Sequence, residues 1–143
     1  MAHFEHSVDI QRPPSEVFAY LTDLSKLPEW QSGVVEARWE GEKGPGARAT
    51  QVREMRGRRT EAELQVAAYE PDRRFALKTL SGPIAFSVDF TLEPKNGGTH
   101  LSVSGEGEPE GLAKVAGPIV GRKIQKQFKS NFETLKRNLE GGR

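Results

Sequence analysis

The sequence contains no cysteine, and it has only three histidines, two tryptophans and two tyrosines among its 143 residues. Without cysteine there is no disulfide, no thiol nucleophile and no zinc–thiolate site. The three histidines, His3, His6 and His100, are scattered, and none has a second metal ligand four residues away. Because metal sites are built from clustered ligands, this pattern is a poor one for a metal. We expect a protein that works without a metal or any other cofactor.

An excess of charge of one sign is also missing, since 21 basic and 20 acidic side chains give a formal net charge of +1. Such a balance creates no field that would attract nucleic acid or an anionic membrane. No apolar run approaches the ~20 residues that span a bilayer, and the N-terminal residues do not resemble a basic and hydrophobic leader. We expect a cytoplasmic protein that binds no nucleic acid and does not insert into a membrane.

Alternation of apolar and polar residues runs through most of the first 104 positions, which is typical of strands with one buried face. The first predicted strand covers residues 2–11 and ends before Pro13-Pro14. Two short helices are predicted within residues 14–28, and about six further strands follow. Asn96-Gly97-Gly98 has the composition of a hairpin turn. The short connections indicate an antiparallel meander within a single domain of 143 residues.

Two segments of this pattern need a specific interpretation. Val35, Ala37 and Trp39 alternate with charged residues, so the pattern places all three on the inner face of their strand. Residues 105–111 contain only glycine, glutamate and one proline, which favours a loop leading into the final helix. Their three glutamates would repel a phosphate, and no Lys-Ser/Thr pair follows, so a phosphate-binding loop is not predicted.

The C-terminal segment has the periodicity of a long amphipathic helix. The Gly117-Pro118 pair predicts that its main part begins at Pro118. A helix of this length needs a broad apolar surface, which a curved sheet of the preceding strands supplies. A helix held by a bent sheet tends to enclose a cavity. The apolar residues at helical spacing are Val115, Ile119, Ile124, Phe128, Phe132, Leu135 and Leu139.

The order of these elements, and the residues at their junctions, resemble the START/polyketide-cyclase superfamily, also called SRPBCC. The matching pieces span nearly the whole chain. They include Pro13-Pro14-Ser15-Glu16-Val17-Phe18, Leu27-Pro28-Glu29-Trp30, Gly97-Gly98-Thr99 and the terminal Leu135-Lys136-Arg137-Asn138-Leu139.

The resemblance implies the α+β helix-grip fold, with residues 1–143 as a single START-like domain. In this fold a curved antiparallel sheet, here of about six to seven strands, wraps around a long C-terminal helix, and two short helices follow the first strand. Members of the superfamily bind sterols, lipids, plant hormones, polyketides or quinones, and some cyclise polyketides. The likeness therefore implies a cavity and leaves its contents open.

Three polar residues are candidates for the anchors of a ligand. His6 is the histidine that strand alternation directs inward, where it would hydrogen-bond a ligand or act as a general base; the alternative is a buried histidine bonded to a neighbouring strand. Arg53 and Gln51 share the predicted inner face of residues 47–55, and Arg53 would receive a ligand carboxylate or phosphate. A register error of one residue would instead send both to solvent.

Apolar residues on the predicted inner faces are candidates for the lining of the cavity. The alternative is that they form an ordinary core. Small residues at inward positions, among them Ala37, Ala49 and Ala62, favour a cavity because they leave volume opposite the helix. The predicted lining residues are Trp39, Phe75, Phe86, Val88, Phe90, Ile124 and Phe128.

The sequence thus predicts a binding protein for a small hydrophobic ligand, such as a lipid, polyketide or quinone, acting as a monomer or homodimer. A first alternative is a polyketide cyclase or dehydratase that uses the same cavity, with His6 as the sole candidate for a catalytic residue. A second alternative is a protein-interaction module, which would show a large exposed apolar patch.

Overall fold

The computed structural model describes residues 2–31, 33–55, 57–81, 85–108 and 118–142. Seven strands and a long C-terminal helix account for most of them, and two short helices follow the first strand. In chain order the elements are β1 (Ala2–Ile10), α1 (Pro14–Thr22), a 3-10 turn (Leu24–Lys26), α2 (Leu27–Trp30), β2 (Val34–Glu40), β3 (Arg48–Met55), β4 (Arg58–Glu70), β5 (Arg74–Ser81), β6 (Ala85–Lys95), β7 (Gly98–Glu108) and α3 (Pro118–Gly142).

The seven strands form one antiparallel sheet in the order β1-β7-β6-β5-β4-β3-β2. Each strand from β2 to β6 pairs with the next strand in the chain, and β1 pairs with β7 and forms the far edge of the sheet. Helix α3 packs against β1 and α2, on the face where the core lies. This arrangement is the α+β helix-grip fold, so the predicted fold is confirmed. Residues 109–117 lie outside the described part, so the predicted start of the long helix at Pro118 stays a prediction.

The hairpin between β6 and β7 has the expected two-residue turn. Asn96 and Gly97 adopt positive φ angles of 50° and 82°, as this turn requires, while Lys95 pairs with Gly98. A side chain at Gly98 would collide with the backbone oxygen of Ile10, so glycine at this position lets β1 approach the turn closely.

Strand β7 is longer than the alternation predicts. Residues 105–108 belong to the strand, and the loop predicted from Gly105 onward was wrong for them; residues 109–117 lie outside the described part. Gly105 and Gly107 lie opposite Phe4 and Ala2 of β1 in an unbroken register. Glycine has no side chain to alternate, so the pattern of apolar and polar residues disappears although the backbone pairing continues.

The inner face of β2 also differs from the prediction at one residue. The pairing of β2 with β3 shifts between Val34 and Glu36. This irregularity places Val34 in the core and leaves Val35 44% exposed, so the prediction that Val35 faces inward was wrong. A bulge adds one residue to a strand and reverses the facing of those before it. Ala37 and Trp39, which follow it, lie on the inner face as expected.

The C-terminus of α3 is fixed to the end of β1 by Arg12. Its guanidinium donates to the backbone oxygens of Leu139 and Glu140, at 3.0 and 3.1 Å from Nε and Nη2. The last carbonyl groups of a helix have no partner within it, so an arginine there is well placed. The backbone nitrogen of Gln11 also donates to the Glu140 carboxylate at 2.7 Å. These bonds hold the C-terminal end of α3 against the end of β1.

Tyr20 joins the three helices through its hydroxyl group. The hydroxyl donates to the Glu29 carboxylate at 2.9 Å and accepts from Asn138 Nδ2 at 3.1 Å. Burial, with a smaller contribution from Glu29, raises the pKa of Tyr20 from 10.0 to about 12. The neutral phenol is therefore favoured in the folded protein, and its contribution to stability is complete below the unfolded pKa.

We expect this contribution to be lost as the pH rises from 10.0 to about 12. Tyr20→Phe removes the titrating group, so the variant should lose less stability than the wild type over this interval. Urea unfolding at about pH 9 and about pH 11 gives the loss in the free energy of unfolding for each protein. The lysines titrate in both proteins alike, so their contribution cancels when the two losses are compared. Equal losses in both proteins would show that the phenol does not contribute.

Candidate functional site

One end of the interior contains all the polar groups of interest. Antiparallel pairing brings the starts of β1, β2, β4 and β6 to the same end of the sheet as the finishes of β3, β5 and β7. Arg53 lies near the finish of β3, so we name this the Arg53 end. At the opposite end the interior is tightly packed, since Ile10, Leu101 and Leu135 are at most 1% exposed.

Several inner-face side chains toward the Arg53 end are only half-buried. His6 on β1, Ala62 on β4, and Phe86 and Val88 on β6 all retain some exposure. Trp39 on β2 is half-buried as well, and its indole Nε1 donates to the backbone oxygen of Thr22 at 3.0 Å. An inner face packed throughout would bury these apolar groups.

The inner face at this end also carries small residues. On β7, Gly105 lies between Phe4 of β1 and Val88 of β6, and Gly107 pairs with Phe86. Toward the opposite edge of the sheet, Ala62 on β4 pairs with Gln51 on β3. Two successive inward positions on β7 therefore place no side chain over this part of the sheet, which leaves volume for a neighbouring group or a ligand.

Arg53 lies on the inner face, in the register that places Gln51 and Ala49 beside it. Gln51 is 4% exposed and Arg53 is partly buried. The Arg53 Nε atom donates to Gln51 Oε1 at 3.0 Å, and Nη2 lies 3.4 Å from Gln31 Oε1. Among the described residues no carboxylate forms an ion pair with it. Burial lowers the pKa of the guanidinium.

Trp30 provides a second unusual donor, at the end of α2. The indole is 3% exposed and lies against Phe90 and Phe132, with ring centroids 6.4 and 5.5 Å away. Its Nε1 atom is buried and has no hydrogen-bond partner among the described residues. Buried donors are nearly always satisfied in folded proteins, so an unpaired one calls for an explanation.

His6 differs from the two other histidines in its contacts. His3 Nε2 lies 2.7 Å from the Glu5 carboxylate, and His100 Nδ1 lies 2.6 Å from that of Asp9. The half-buried His6 ring instead lies 6.1 Å from the ring of Phe132 and has no hydrogen bond to a described residue. Both of its nitrogen atoms are available to other partners in this part of the molecule.

The apolar residues predicted as lining on β5, β6 and α3 fall into three groups. Phe75 and Phe90 are 1% and 4% exposed and stack on each other with centroids 6.2 Å apart, so they belong to the packed core. Phe86 and Val88 are half-buried. The Thr79 hydroxyl holds the backbone of Phe86 in place, since it donates to the Phe86 carbonyl oxygen and accepts from the Phe86 N–H. Ile124 and Phe128 lie on α3, but their side chains are outside the described ones.

Two of the predicted anchors, Gln51 and Arg53, are thus brought into direct contact, while His6 lies across the sheet on β1. The sequence analysis missed two residues of this site, Gln31 and Trp30. Trp30 was recognisable as a buried tryptophan following a short proline-containing helix. No sequence signal linked Gln31 to Arg53, because their contact depends on how α2 packs against β2, the strand paired with β3.

Two open grooves lie on the outer face of the sheet, with volumes of about 520 and 560 Å³. The first runs across β1, β7 and β6, and the second across β2 to β5. Their walls are mainly glutamate, aspartate, arginine, serine and threonine side chains. Such polar walls do not suit an apolar ligand, whereas the inner face does.

Across the described ranges, no three histidine, aspartate or glutamate side chains are grouped as a metal site would need. Within the same ranges, no helix has the length and apolar character required to cross a bilayer.

Relatives in sequence are uncharacterized proteins. One from Mycobacterium tuberculosis is 27% identical over 103 residues, which are 69% of this chain and 61% of that protein. A second from the same organism is 27% identical over 108 residues, 72% of this chain and 74% of that protein. The chain therefore spans less than two thirds of the length of the first of these relatives.

Solved structures with the same fold come from several sources. A Deinococcus radiodurans protein, DR_A0006, matches with a TM-score of 0.77 and 21% identity over 100% of both chains. A Thermus thermophilus protein, TTHA0849, matches with a TM-score of 0.80 and 16% identity over 96% of both. The structure of Ara h 8.0201 matches with a TM-score of 0.73 and 18% identity over 96% of both.

The family model described as "Polyketide cyclase / dehydrase and lipid transport" matches residues 1–140. This match covers both the sheet and α3, together with every residue of the candidate site. The chain belongs to the polyketide cyclase / dehydrase and lipid transport family.

Proposed function

We propose that this protein binds one small hydrophobic molecule, such as a lipid, polyketide or quinone, between the sheet and α3. The observation that carries the proposal is the half-buried apolar surface on the inner face, at Trp39, Phe86 and Val88. These side chains face the interior and yet remain partly exposed, as apolar groups at the wall of a binding site do. The family description, which includes lipid transport, agrees with this use of the fold.

The polar residues of the interior give the ligand its orientation in this proposal. Gln51 and Arg53 form one polar group toward the finish of β3, and His6 supplies another on β1. A few polar groups in an otherwise apolar site are the usual arrangement for holding an amphipathic molecule in one direction. Ile124 and Phe128 stay candidates for the apolar lining on the sequence pattern alone, since their side chains lie outside the described ones.

Native mass spectrometry tests the proposal directly. The protein is incubated with hexadecanol or palmitic acid, each kept below the concentration at which it aggregates, and then sprayed from a volatile buffer. We expect a mass shift of one ligand per chain that saturates as the ligand concentration rises. The same spectra distinguish a loaded monomer from a loaded homodimer. Bare protein at every ligand concentration would contradict the proposal.

A second candidate function, a polyketide cyclase or dehydratase, is favoured by the contacts of His6. Its ring is half-buried on the inner face and has no hydrogen bond to a described residue, as a general acid or base in a binding site would require. Incubation with a linear poly-β-ketone thioester, followed by mass spectrometry, would reveal dehydration or a cyclised product. His6→Gln keeps the size and polarity of the ring and should abolish that product, while ligand binding persists.

A further inference from the structure

Arg53 is the strongest indication of what kind of molecule the interior receives. We infer that the ligand is an amphipathic monoacid, with an apolar body along the inner face and a carboxylate paired to the guanidinium of Arg53. The inference rests on the proposed function and adds the chemical class of the ligand to it.

The first argument is the missing counter-charge. Other arginines that contact carboxylates here do so where water also reaches them: Arg38 contacts Glu36 at 2.6 Å, and Arg74 contacts Asp89 at 2.7 Å. Arg53 is partly buried on the inner face, and its partners among the described residues are two neutral amide oxygens. Removing a cation from water without an anion is unfavourable, and a ligand carboxylate would supply that anion.

The second argument is the geometry of the guanidinium. Nε and Nη2 lie on one edge of the group, and the amide oxygens of Gln51 and Gln31 occupy that edge. Nη1 has no hydrogen-bond acceptor among the described residues. Gly33 lies near it: a Cβ atom placed on Gly33 would be 3.7 Å from Nη1. The edge formed by Nη1 and Nη2 therefore has N–H groups to offer. Two parallel N–H groups fit the two oxygens of a carboxylate.

The third argument comes from Trp30, which immediately precedes Gln31. Its buried Nε1 also lacks an acceptor among the described residues. Arg53 Nη1 and the indole N–H of Trp30 are thus two donors without a hydrogen-bond acceptor among the described residues. An oxygen-rich head group provides acceptors, whereas a pure hydrocarbon provides none.

The charge of the site favours a carboxylate over a phosphate. Among the described residues, the side chains bonded to the Arg53 guanidinium are the neutral Gln31 and Gln51, so Arg53 brings one positive charge to the site. A carboxylate carries one negative charge and is matched by one guanidinium. A phosphate monoester carries nearly two at neutral pH and would keep a surplus charge in an apolar interior.

The experiment measures how three ligands with the same chain displace N-phenylnaphthylamine, an uncharged fluorescent probe. The ligands are palmitic acid, hexadecanol and hexadecyl phosphate, all below their aggregation concentrations. We expect the wild type to bind the acid more tightly than the alcohol by about tenfold or more. A hydrogen bond to a charged group is stronger than one between neutral groups by a free energy that corresponds to about this ratio of affinities. The acid should also bind more tightly than the phosphate.

Variants assign the preference to Arg53. Arg53→Met keeps the length of the side chain and removes the charge, so the preference for the acid should vanish while hexadecanol binds unchanged or more tightly. Arg53→Lys should retain part of the preference, because it keeps the charge and loses the fork. Arg59→Met is the matched control, since Arg59 is exposed and its ion pair with Glu36 is 3.9 Å long. It should leave all affinities unchanged.

Each outcome has a distinct meaning. Equal binding of palmitic acid and hexadecanol by the wild type, or an unchanged ratio in Arg53→Met, would overturn the inference while the proposed function stands. Tighter binding of the phosphate would overturn the choice of a carboxylate. Failure of every ligand to displace the probe would overturn the proposed function itself. Thermal unfolding of Arg53→Met verifies folding, and the acid-to-alcohol ratio of the wild type decides the matter even if that variant misfolds.

Discussion

Phe75→Ala is expected to lower the free energy of unfolding by about 3–5 kcal/mol, the usual cost of truncating a buried phenylalanine. The Phe75 ring is 1% exposed and lies at the centre of an aromatic cluster. Its centroid is 6.3 Å from Phe18, 6.2 Å from Trp39, 6.0 Å from Tyr69 and 6.2 Å from Phe90. Truncation leaves a cavity among four rigid rings, which cannot move together to fill it.

Urea unfolding measures this loss, and Phe86→Ala is the matched control on the neighbouring strand. Because Phe86 is half-buried, its truncation should cost less than about 2 kcal/mol. Equal losses for the two variants would show that Phe75 is no more tightly packed than the rim of the proposed binding site. In that case Phe75 would line the ligand-binding site, as the sequence analysis predicted, and would not belong to the structural core.

Ala62→Phe is expected to weaken the binding of hexadecanol or N-phenylnaphthylamine by at least about tenfold, because the new ring would occupy the volume that the ligand needs. Ala62 lies on β4 opposite Gln51, and its half-buried side chain faces inward with Leu64. If the interior contains free volume there, the variant keeps its stability while it loses the ligand. If the interior is already filled, overpacking costs about 1–3 kcal/mol.

Ala67→Phe is the control for this experiment, since Ala67 lies exposed on the outer face of the same strand. Fluorescence titration with N-phenylnaphthylamine gives the affinity of each variant, and thermal unfolding gives its stability. Unchanged affinity in Ala62→Phe would show that the ligand does not occupy the inner face beside β4. Loss of affinity in both variants would point to a general effect of an added aromatic ring.

Much of the fold was predictable because alternation is a strong signal wherever a strand has one buried face. The inward register of Gln51 and Arg53 followed from it, although residues 47–55 carry the weakest pattern in the sheet. The pattern failed where side chains carry no information or where the register changes. Gly105 has no side chain to alternate, and Val35 lies at the irregularity where β2 shifts against β3.

The site was less predictable than the fold because its contacts join distant parts of the chain. Gln31 reaches Arg53 only because α2 packs near the start of β2, and nothing local in the sequence specifies that approach. Likewise, the lack of a hydrogen-bond partner for Trp30 Nε1 among the described residues can be recognised only when the positions of the neighbouring acceptors are known. Sequence patterns tell which face a residue occupies, whereas hydrogen-bond satisfaction depends on the folded whole.

The central claim, that the ligand lies between the sheet and α3, is tested most directly by locating a bound heavy atom. Crystals grown with a terminally brominated palmitic acid would give an anomalous bromine signal. We predict a peak on the inner face near Phe86 and Val88, with density for the carboxylate beside Arg53. A peak in one of the outer grooves would contradict the claim. So would saturable binding in solution with no density on the inner face.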